Sequence, residues 1–411
     1  MKKLLLQNVG QLATFKGNYA HHGKQMQEVT LLDGCSILVE DGKISKIFDT
    51  PNLDCTCPDV QKIDCKGNLV TAGYVDCHTH LVFAGNRAKE FEMRLAGRSY
   101  MEIMRAGGGI VNTVTATRNA TEEELLALAV ERAGVALSYG VTTMEAKSGY
   151  GLDKETELKQ LQVLNRLNQL TSIEVVPTFM GAHATPKGED TEQYVDFVAE
   201  EVLPLVAQQG IAEYCDCFCE NHVFSVEQTK KIMQRAQRLG LKVKIHADEI
   251  ESIGGVALGC EMGATSVDHL LQITQEDIEK LANSDTVGVI LPATAFSLKE
   301  HFAPARKMID AGCAVAVATD FNPGSCNTQS IPLIIALSNI YCQMSMAETL
   351  CALTINGACA VGRGEQVGTV EVGKQADLLI HNVSDLSGLC YHFCRDTVRT
   401  VIKAGEVVLQ K

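Results

Sequence analysis

Two histidines, His78 and His80, close a short apolar run at residues 70–80. Side chains two residues apart on a β-strand point to the same face, so the two imidazoles would lie about 6.5 Å apart at one strand end. This spacing is typical of a pair of metal ligands. Two polar residues that merely end a strand would give the same pattern, so the pair needs support from other parts of the chain.

Three later segments also end an apolar run in a residue type that binds metal ions. They finish at His246, His269 and Asp320. Imidazoles and a carboxylate gathered from separate strand ends would leave one coordination position open for water, as in catalytic zinc sites. A structural zinc site would more often use clustered cysteines. The pattern therefore predicts a catalytic metal centre.

The strands that carry these residues belong to a repeating pattern in the central part of the chain. Apolar segments alternate there with helical patterns, as a parallel sheet requires. Eight strand–helix units in this length predict an α/β fold, a (β/α)₈ barrel over residues 71–364, whose chemistry lies at the carboxyl ends of the strands. The predicted strands are residues 73–80, 140–146, 173–180, 214–220, 243–247, 266–270, 287–291 and 315–320.

Both ends of the chain carry short β-strands. A turn at Asp41 and Gly42 between two extended runs is a strong hairpin signal. Neither end has enough strands to form a domain alone. We therefore predict that residues 1–70 and 365–411 pack together as one small β-sandwich domain beside the barrel.

Composition limits the classes of function. The chain has 411 residues, of which 46% are hydrophobic, and a formal net charge of −14. This charge argues against nucleic acid or an anionic membrane as a partner. No apolar run of about 18 residues suggests a membrane span, and the N-terminus lacks the apolar core of a signal peptide. We expect a soluble, cytoplasmic protein.

Sixteen cysteines are scattered along the chain. Their spread through apolar strands favours buried free thiols over a disulfide framework. Cys215, Cys217 and Cys219 alternate, so they share one face of a strand, and we interpret them as small core residues.

At this point the sequence resembles the amidohydrolase superfamily, metal-dependent hydrolases with this barrel and a β-sandwich made from both termini. The resemblance spans essentially the whole chain. The residues that carry it are 76–80, His246, 268–269 and 318–320. A closer resemblance, to the members that open the imidazolone ring in histidine degradation, is carried by residues 106–110, 145–151, 181–184, 246–249 and 319–325.

The resemblance implies a ligand set, a substrate and an assembly. One Zn²⁺ or Fe³⁺ ion per chain would be held by His78, His80, His246 and Asp320. The substrate would be a carboxylate-bearing small molecule, 4-imidazolone-5-propanoate, hydrolysed at its cyclic amide to N-formimidoyl-L-glutamate. A homodimer is also implied. Substrate contacts would come from Arg87, Tyr150, His183, Glu249, Asn322, Gly324 and Ser325.

The residues at the end of the fourth barrel strand indicate how many metal ions the site would hold. Members with two ions commonly bridge them there with a carbamylated lysine. This chain has Cys219, Glu220 and Asn221 at that place, so one ion is expected. Glu220 is the residue there that could instead bind a second ion.

Three residues are candidates for the catalytic proton transfers. A metal-activated water would attack the ring carbonyl, and Asp320 could accept its proton. His269 could hydrogen-bond the same water or polarise the carbonyl, and Glu249 could carry a proton to the leaving nitrogen. The sequence leaves open which of them is the general base. Asp248 either orients a ligand histidine or caps the following helix.

Arg87 offers a planar pair of donors for the propionate, and it lies with Lys89 and Arg94 in a loop after the first barrel strand. Two alternative functions differ from ring hydrolysis in the residues that they require. A zinc-dependent deaminase of a purine or pyrimidine base would use the same metal centre but would not need Arg87 and Tyr150. A non-catalytic scaffold protein would usually have lost metal ligands, and all four are present.

Overall fold

The computed structural model describes residues 2–53, 60–98, 102 and 108–411. Residues 106 and 107 of the 106–110 motif lie outside these residues, as do Cys55 and Cys57 of the predicted free thiols. No helix in the described ranges is both long enough and apolar enough to span a bilayer. The cysteines of these ranges are free thiols, as predicted, and Cys215, Cys217 and Cys219 are fully buried.

Eight parallel strands form the central sheet in the order of the chain, which confirms the predicted (β/α)₈ barrel. Each strand begins and ends within a few residues of its predicted position, apart from the first and the last, which are shorter. The strands are β5 Tyr74–Asp76, β6 Val141–Lys147, β7 Glu174–Ala182, β8 Tyr214–Cys219, β9 Lys242–Ala247, β10 Ser266–His269, β11 Val287–Ile290 and β12 Val315–Val317.

The barrel closes between its first and last strands through short contacts instead of a full ladder. Thr79 and Phe321 form an isolated parallel bridge. The Asp76 carboxylate accepts hydrogen bonds from the Thr319 backbone N–H at 3.0 Å and from its hydroxyl at 2.6 Å. His78 and His80 were predicted to end a strand; they lie just beyond β5, where the chain turns to pair with residues 319–321.

Helices surround the barrel and follow the strands. One of them spans Glu122–Ser138, and Thr121 caps it by accepting a hydrogen bond from the Glu124 backbone N–H. A 3₁₀ segment covers Gly23–Gln27 and a π segment covers Val198–Val202. The helices are α1 Ala88–Leu95, α2 Ile110–Asn119, α3 Glu122–Ser138, α4 Lys154–Leu170, α5 Thr191–Phe197, α6 Leu203–Gln209, α7 Val226–Arg238, α8 Gly255–Met262, α9 Gln275–Ala282, α10 Pro292–Leu298, α11 Ala305–Ala311, α12 Ile331–Ile340, α13 Met346–Leu353, α14 Ile355–Ala360 and α15 Leu386–Tyr391.

The two termini share a seven-stranded sheet, which confirms the predicted sandwich-like β domain. Its strand order is β15-β14-β13-β4-β1-β2-β3. Asp41 and Gly42 form the predicted hairpin turn between β2 and β3, both with positive φ. The strands are β1 Lys3–Thr14, β2 Thr30–Glu40, β3 Lys43–Phe48, β4 Val60–Ala72, β13 Leu378–His381, β14 Val398–Lys403 and β15 Glu406–Gln410.

Sequence reasoning missed β4, a long strand that pairs in parallel with β1. It runs through the predicted domain boundary at residue 70, and β5 begins two residues after it ends. The chain thus passes directly from the sheet into the barrel. The domain limits 1–70, 71–364 and 365–411 stay predictions.

Candidate active site

Three histidines meet at the carboxyl end of the barrel. His78 and His80 follow β5 and His246 lies in β9, and each offers a ring nitrogen within 4.8 Å of the others. The Nε2 atoms of His80 and His246 are 3.4 Å apart. All three side chains are buried. The predicted grouping of these histidines is therefore present in the structure.

Two buried carboxylates fix the orientation of two of these rings. Asp268 Oδ2 accepts a hydrogen bond from His78 Nδ1 at 2.6 Å, and Asp216 Oδ1 accepts one from His246 Nδ1 at 3.0 Å. Protons held at Nδ1 leave Nε2 of each ring free to bind a metal ion. The sequence suggested Asp248 for this role, but Asp216 and Asp268 perform it. Asp248 does not cap a helix either, because Gly254 is the N-cap of α8.

Asp320 brings an oxygen to the same cluster. Its Oδ1 lies 3.5 Å from His78 Nε2 and 3.7 Å from His80 Nε2. The Thr294 hydroxyl donates to Oδ2 at 2.7 Å, so this second oxygen is held away from the histidines. Burial raises the pKa of Asp320 to about 6. Sequence reasoning did not single out Thr294, which lies in α10 after the seventh barrel strand.

The four groups fit a metal ion. Three imidazole nitrogens and one carboxylate oxygen are a donor set that zinc accepts, and three or four protein ligands leave room for a water molecule. His78 Nε2 is buried and has no hydrogen-bond partner among the described residues. Burial lowers the pKa of His78 and of His80 well below the ordinary value, so both rings are neutral and able to bind a cation.

Glu249 and His269 lie side by side at the edge of this cluster. Glu249 Oε2 is 3.6 Å from His269 Nδ1, and the His269 ring centre is 5.0 Å from that of His246. Burial, with the nearby charges of Asp320 and Glu220, raises the pKa of Glu249 to about 8. A carboxyl group with this pKa can hold a proton at neutral pH and release it.

The backbone is strained where these side chains leave the strands. Asp248, His269, Leu270 and Asp320 have φ values of 55°, 88°, 64° and 50°. Such left-handed conformations are costly for residues with a Cβ atom and cluster at functional sites. The four positions end or follow β9, β10 and β12 at their carboxyl ends, which agrees with a site built at this face.

Glu220 has a structural role. Its carboxylate accepts hydrogen bonds from the backbone N–H groups of Asn221, Ile250 and Glu251 at 2.8, 2.8 and 3.1 Å. These bonds occupy both oxygens and tie the end of the fourth barrel strand to the loop that carries Glu249. Glu220 is therefore engaged with the backbone and is not one of the clustered ligand atoms.

The rings of Tyr150 and His183 lie beside the ring of His80. The His183 ring stacks on His80 with centres 5.0 Å apart, and Tyr150 lies 5.3 Å from His183. His183 Nδ1 donates to the Gly149 carbonyl at 3.0 Å, which turns Nε2 away from that backbone. Burial lowers the pKa of His183 to about 3, so its ring is neutral.

The remaining predicted residues form one loop at the rim. Asn322 Oδ1 accepts from the backbone N–H groups of Gly324 and Ser325 at 2.8 and 2.7 Å, and its Nδ2 donates to the Ser325 hydroxyl at 2.8 Å. Asn322 thus shapes the loop from within. Arg87 packs against Gly324, where a Cβ atom would lie 2.2 Å from Arg87 Nη1. A side chain at this position would have to displace the guanidinium of Arg87.

Arg87 and Arg94 are attached to this rim by different contacts. Arg87 Nε donates to Glu90 at 2.9 Å, and Arg94 Nη2 donates to the Gly324 carbonyl at 3.0 Å. Lys89 is exposed on the same segment. The predicted cluster of three cations therefore includes two that face the rim loop and one that faces solvent.

A layer of buried ions lies beneath the histidines, and sequence reasoning missed it. Lys147 Nζ is 2.7 Å from Glu145 Oε1 and 2.8 Å from Asp216 Oδ2. Lys244, also fully buried, donates to the Cys77 carbonyl at 3.0 Å. The signal was present, because polar residues alternate with apolar ones in β6, β8 and β9, and period two places them inside the barrel.

Comparisons with known proteins show the family to which the chain belongs. Residues 69–408 match the model of the amidohydrolase family. The imidazolonepropionase of Clostridium tetani is 48% identical over the full length of both chains. That of Porphyromonas gingivalis strain W83 is 46% identical, with 98% of this chain and 97% of the relative covered.

Two solved structures share the fold at low sequence identity. A 5-methylcytosine deaminase from Klebsiella pneumoniae has a TM-score of 0.75 and 20% identity, covering 100% of this chain and 98% of its own. A zinc-bound adenosine deaminase from Xanthomonas campestris has a TM-score of 0.72 and 19% identity, covering 99% and 93%. These structures support the architecture alone. The convergence of His78, His80, His246 and Asp320, together with full-length relatives well above 40% identity, shows that the chain is an enzyme of the amidohydrolase family and belongs among its imidazolonepropionases.

Proposed function

We propose that the enzyme opens the ring of 4-imidazolone-5-propanoate by hydrolysis, giving N-formimidoyl-L-glutamate in histidine degradation. Two observations support this proposal best. Glu249 lies 3.6 Å from His269, whose ring centre is 5.0 Å from that of His246, and Arg87 packs against Gly324 in the loop after Asp320. A cyclic amide that bears a carboxylate needs both features, a site of hydrolysis and a cation set apart from it.

One zinc or ferric ion is the proposed cofactor, bound by His78, His80, His246 and Asp320. When bound, it would supply a Lewis acid for the carbonyl oxygen and make a water molecule nucleophilic near neutral pH. The binding of both Glu220 oxygens by backbone N–H groups supports a single ion. Either ion can bind this donor set, and metal analysis of the purified protein identifies which one is present.

The protein groups account for the proton transfers. Asp320 accepts a proton from the attacking water as the new C–O bond forms. Glu249, whose raised pKa keeps it protonated, gives a proton to the ring nitrogen as the C–N bond breaks. His269, 3.6 Å from Glu249, is placed to hydrogen-bond the developing oxyanion or the water. The proton that Asp320 gains balances the one that Glu249 loses, and its return to Glu249 completes turnover.

The substrate is held by residues around this centre. Arg87 binds the propionate through a charge-assisted pair of hydrogen bonds. Tyr150 and His183 contact the ring from the side of His80. Asn322, Gly324 and Ser325 contact the substrate from the loop that follows Asp320, and Gly324 packs against Arg87.

A direct assay tests this proposal. The metal-loaded enzyme should convert 4-imidazolone-5-propanoate to a product one water heavier, and in ¹⁸O water one labelled oxygen should appear in the new carboxylate. Cytosine, adenine and guanine, assayed in parallel by ammonia release, should be inert. Ammonia release from a base without conversion of the imidazolone would overturn the proposal. A homodimer and a cytoplasmic location stay predictions.

A further inference from the structure

Lys147 is fully buried and belongs neither to the ligand set nor to the predicted substrate contacts. It ends β6, and its ammonium group lies between two carboxylates, 2.7 Å from Glu145 Oε1 and 2.8 Å from Asp216 Oδ2. A fully buried lysine loses the hydration of its charge, so it persists only where close partners replace water. Here two partners do so.

Each of these carboxylates also holds a segment that carries ligand histidines. Asp216 Oδ1 accepts from His246 at two atoms, Nδ1 at 3.0 Å and the backbone N–H at 3.2 Å. Glu145 Oε2 accepts from the Thr79 backbone N–H at 3.2 Å, and the Glu145 carbonyl accepts from the Thr79 hydroxyl at 2.7 Å. Thr79 is the residue between His78 and His80.

We infer that Lys147 is a positioning residue for the metal centre, which sets the distance between the His78–His80 segment and His246. Its ammonium joins the two carboxylates, and the carboxylates hold the two segments. Without the lysine, two negative groups would face each other inside the barrel and repel, so Asp216 and Glu145 would rotate away from their histidine-bearing partners.

The sign of the charge supports this interpretation. A cation beneath a cation-binding site opposes metal binding by simple electrostatics, so its presence needs a geometric reason. A carbamate on Lys147, which would make it a metal bridge, is excluded by the position of Glu145 and Asp216, because its negative charge would lie against two carboxylates.

Lys374 provides a control. It is also a buried lysine, and it lies between α14 and β13, outside the barrel strands. Its ammonium donates to the carbonyls of Gly17 and Gly364 at 2.9 and 2.7 Å. It is therefore a buried lysine that does not join the carboxylates holding the ligand segments.

The test is the affinity of the metal-free full-length protein for Zn²⁺, measured by competition with a fluorescent chelator. Lys147→Met should raise the dissociation constant about 10- to 100-fold, the range found when partners of ligand histidines are removed. Lys374→Met should stay close to the wild-type affinity. The readout is independent of the substrate, so it distinguishes failure of this inference from failure of the proposed reaction.

Folding is checked by circular dichroism and urea unfolding of each variant. If Lys147→Met does not fold, Glu145→Gln/Lys147→Met removes one charge of each sign. It should still lower the affinity, because the ammonium that joins the two side chains is gone. Wild-type Zn²⁺ affinity in whichever of these variants folds would overturn the inference. An equal loss in Lys374→Met would also overturn it, because the effect would then follow from removing any buried lysine.

Discussion

The carboxyl end of the barrel and the seven-stranded sheet are equally buried but differ in chemistry. The interior of the sheet is aliphatic, with Leu6, Leu12 and Ile37 at zero exposure. The barrel interior at the same exposure holds Lys147 and Asp216. Both regions exclude water. Only the apolar side chains of the sheet interior are stabilised by leaving water.

This difference separates stability from function. Apolar burial contributes about 25 cal/mol per Å², so the sheet residues are explained by the stability they provide. Buried ion pairs contribute little net stability, because desolvation offsets most of their attraction. The ions of the barrel are therefore explained by what they hold in place: Asp216 and Asp268 each accept a hydrogen bond from a histidine of the cluster.

The largest expected effect on stability is in the sheet. Leu6→Ala should lower the free energy of unfolding by about 2–5 kcal/mol, because it leaves a cavity among packed aliphatic side chains. Zn²⁺ affinity at 25 °C should not change. Urea unfolding and chelator competition measure the two quantities. Leu31→Ala, on the exposed side of β2, is the matched control and should be nearly neutral; a loss of Zn²⁺ affinity in Leu6→Ala would remove the distinction between the regions.

Arg87→Ala should have the converse effect in the barrel. Loss of a charge-assisted contact to the substrate propionate should cost about 1.5–3 kcal/mol, a rise in KM of about 10- to 150-fold, with kcat less affected because the propionate is remote from the bond that breaks. Thermal stability should change little. Steady-state kinetics on Arg87→Ala and on exposed Lys89→Ala compare a rim cation with a solvated one. An unchanged KM in Arg87→Ala would show that the carboxylate binds elsewhere.

A smaller effect is expected from a polar residue inside the sheet. His381 is buried between the hydroxyls of Thr71 and Thr397, and burial lowers its pKa to about 3. The unfolded chain, with a histidine pKa of about 6.5, binds more protons between these values. The stability that neutral His381 provides above pH 6.5 is therefore lost as the pH falls.

At pH 5 this loss should be about 2 kcal/mol, 1.36 kcal/mol for each pKa unit below 6.5. Urea unfolding at pH 7 and pH 5 measures it. His381→Gln keeps a hydrogen-bonding side chain without a titrating group, so its stability should fall by that much less than the wild type. Equal pH dependence in both proteins would mean that His381 is protonated in the fold.

The same contrast explains what the sequence could reveal. Apolar runs ending in His78, His80, His246 and Asp320 predicted the barrel and the clustered ligands, because strand ends of a parallel barrel converge at one face. β4 was missed because charged and polar residues break its first half, so its pairing with β1 has no clear apolar alternation. Tertiary pairing decides such a strand.

The ionic layer was missed for a different reason. Lys147 ends β6 and Asp216 stands between two cysteines in β8, and a charged residue at such a place resembles a solvated position. Only the closed barrel turns that face inward. The role of Thr294 had no sequence signal of its own, since its hydroxyl reaches Asp320 from α10, which becomes a neighbour only in the folded chain.

The roles proposed for Asp320 and Glu249 are tested most directly by the zinc content and kcat of Asp320→Asn and Glu249→Gln, measured on the same samples. Glu249→Gln should keep one zinc per chain and lose about 10²- to 10⁴-fold in kcat, because an amide cannot transfer the proton. Asp320→Asn should lose zinc affinity together with turnover. Near-normal turnover of zinc-loaded Glu249→Gln, or full zinc content with normal kcat in Asp320→Asn, would contradict these roles.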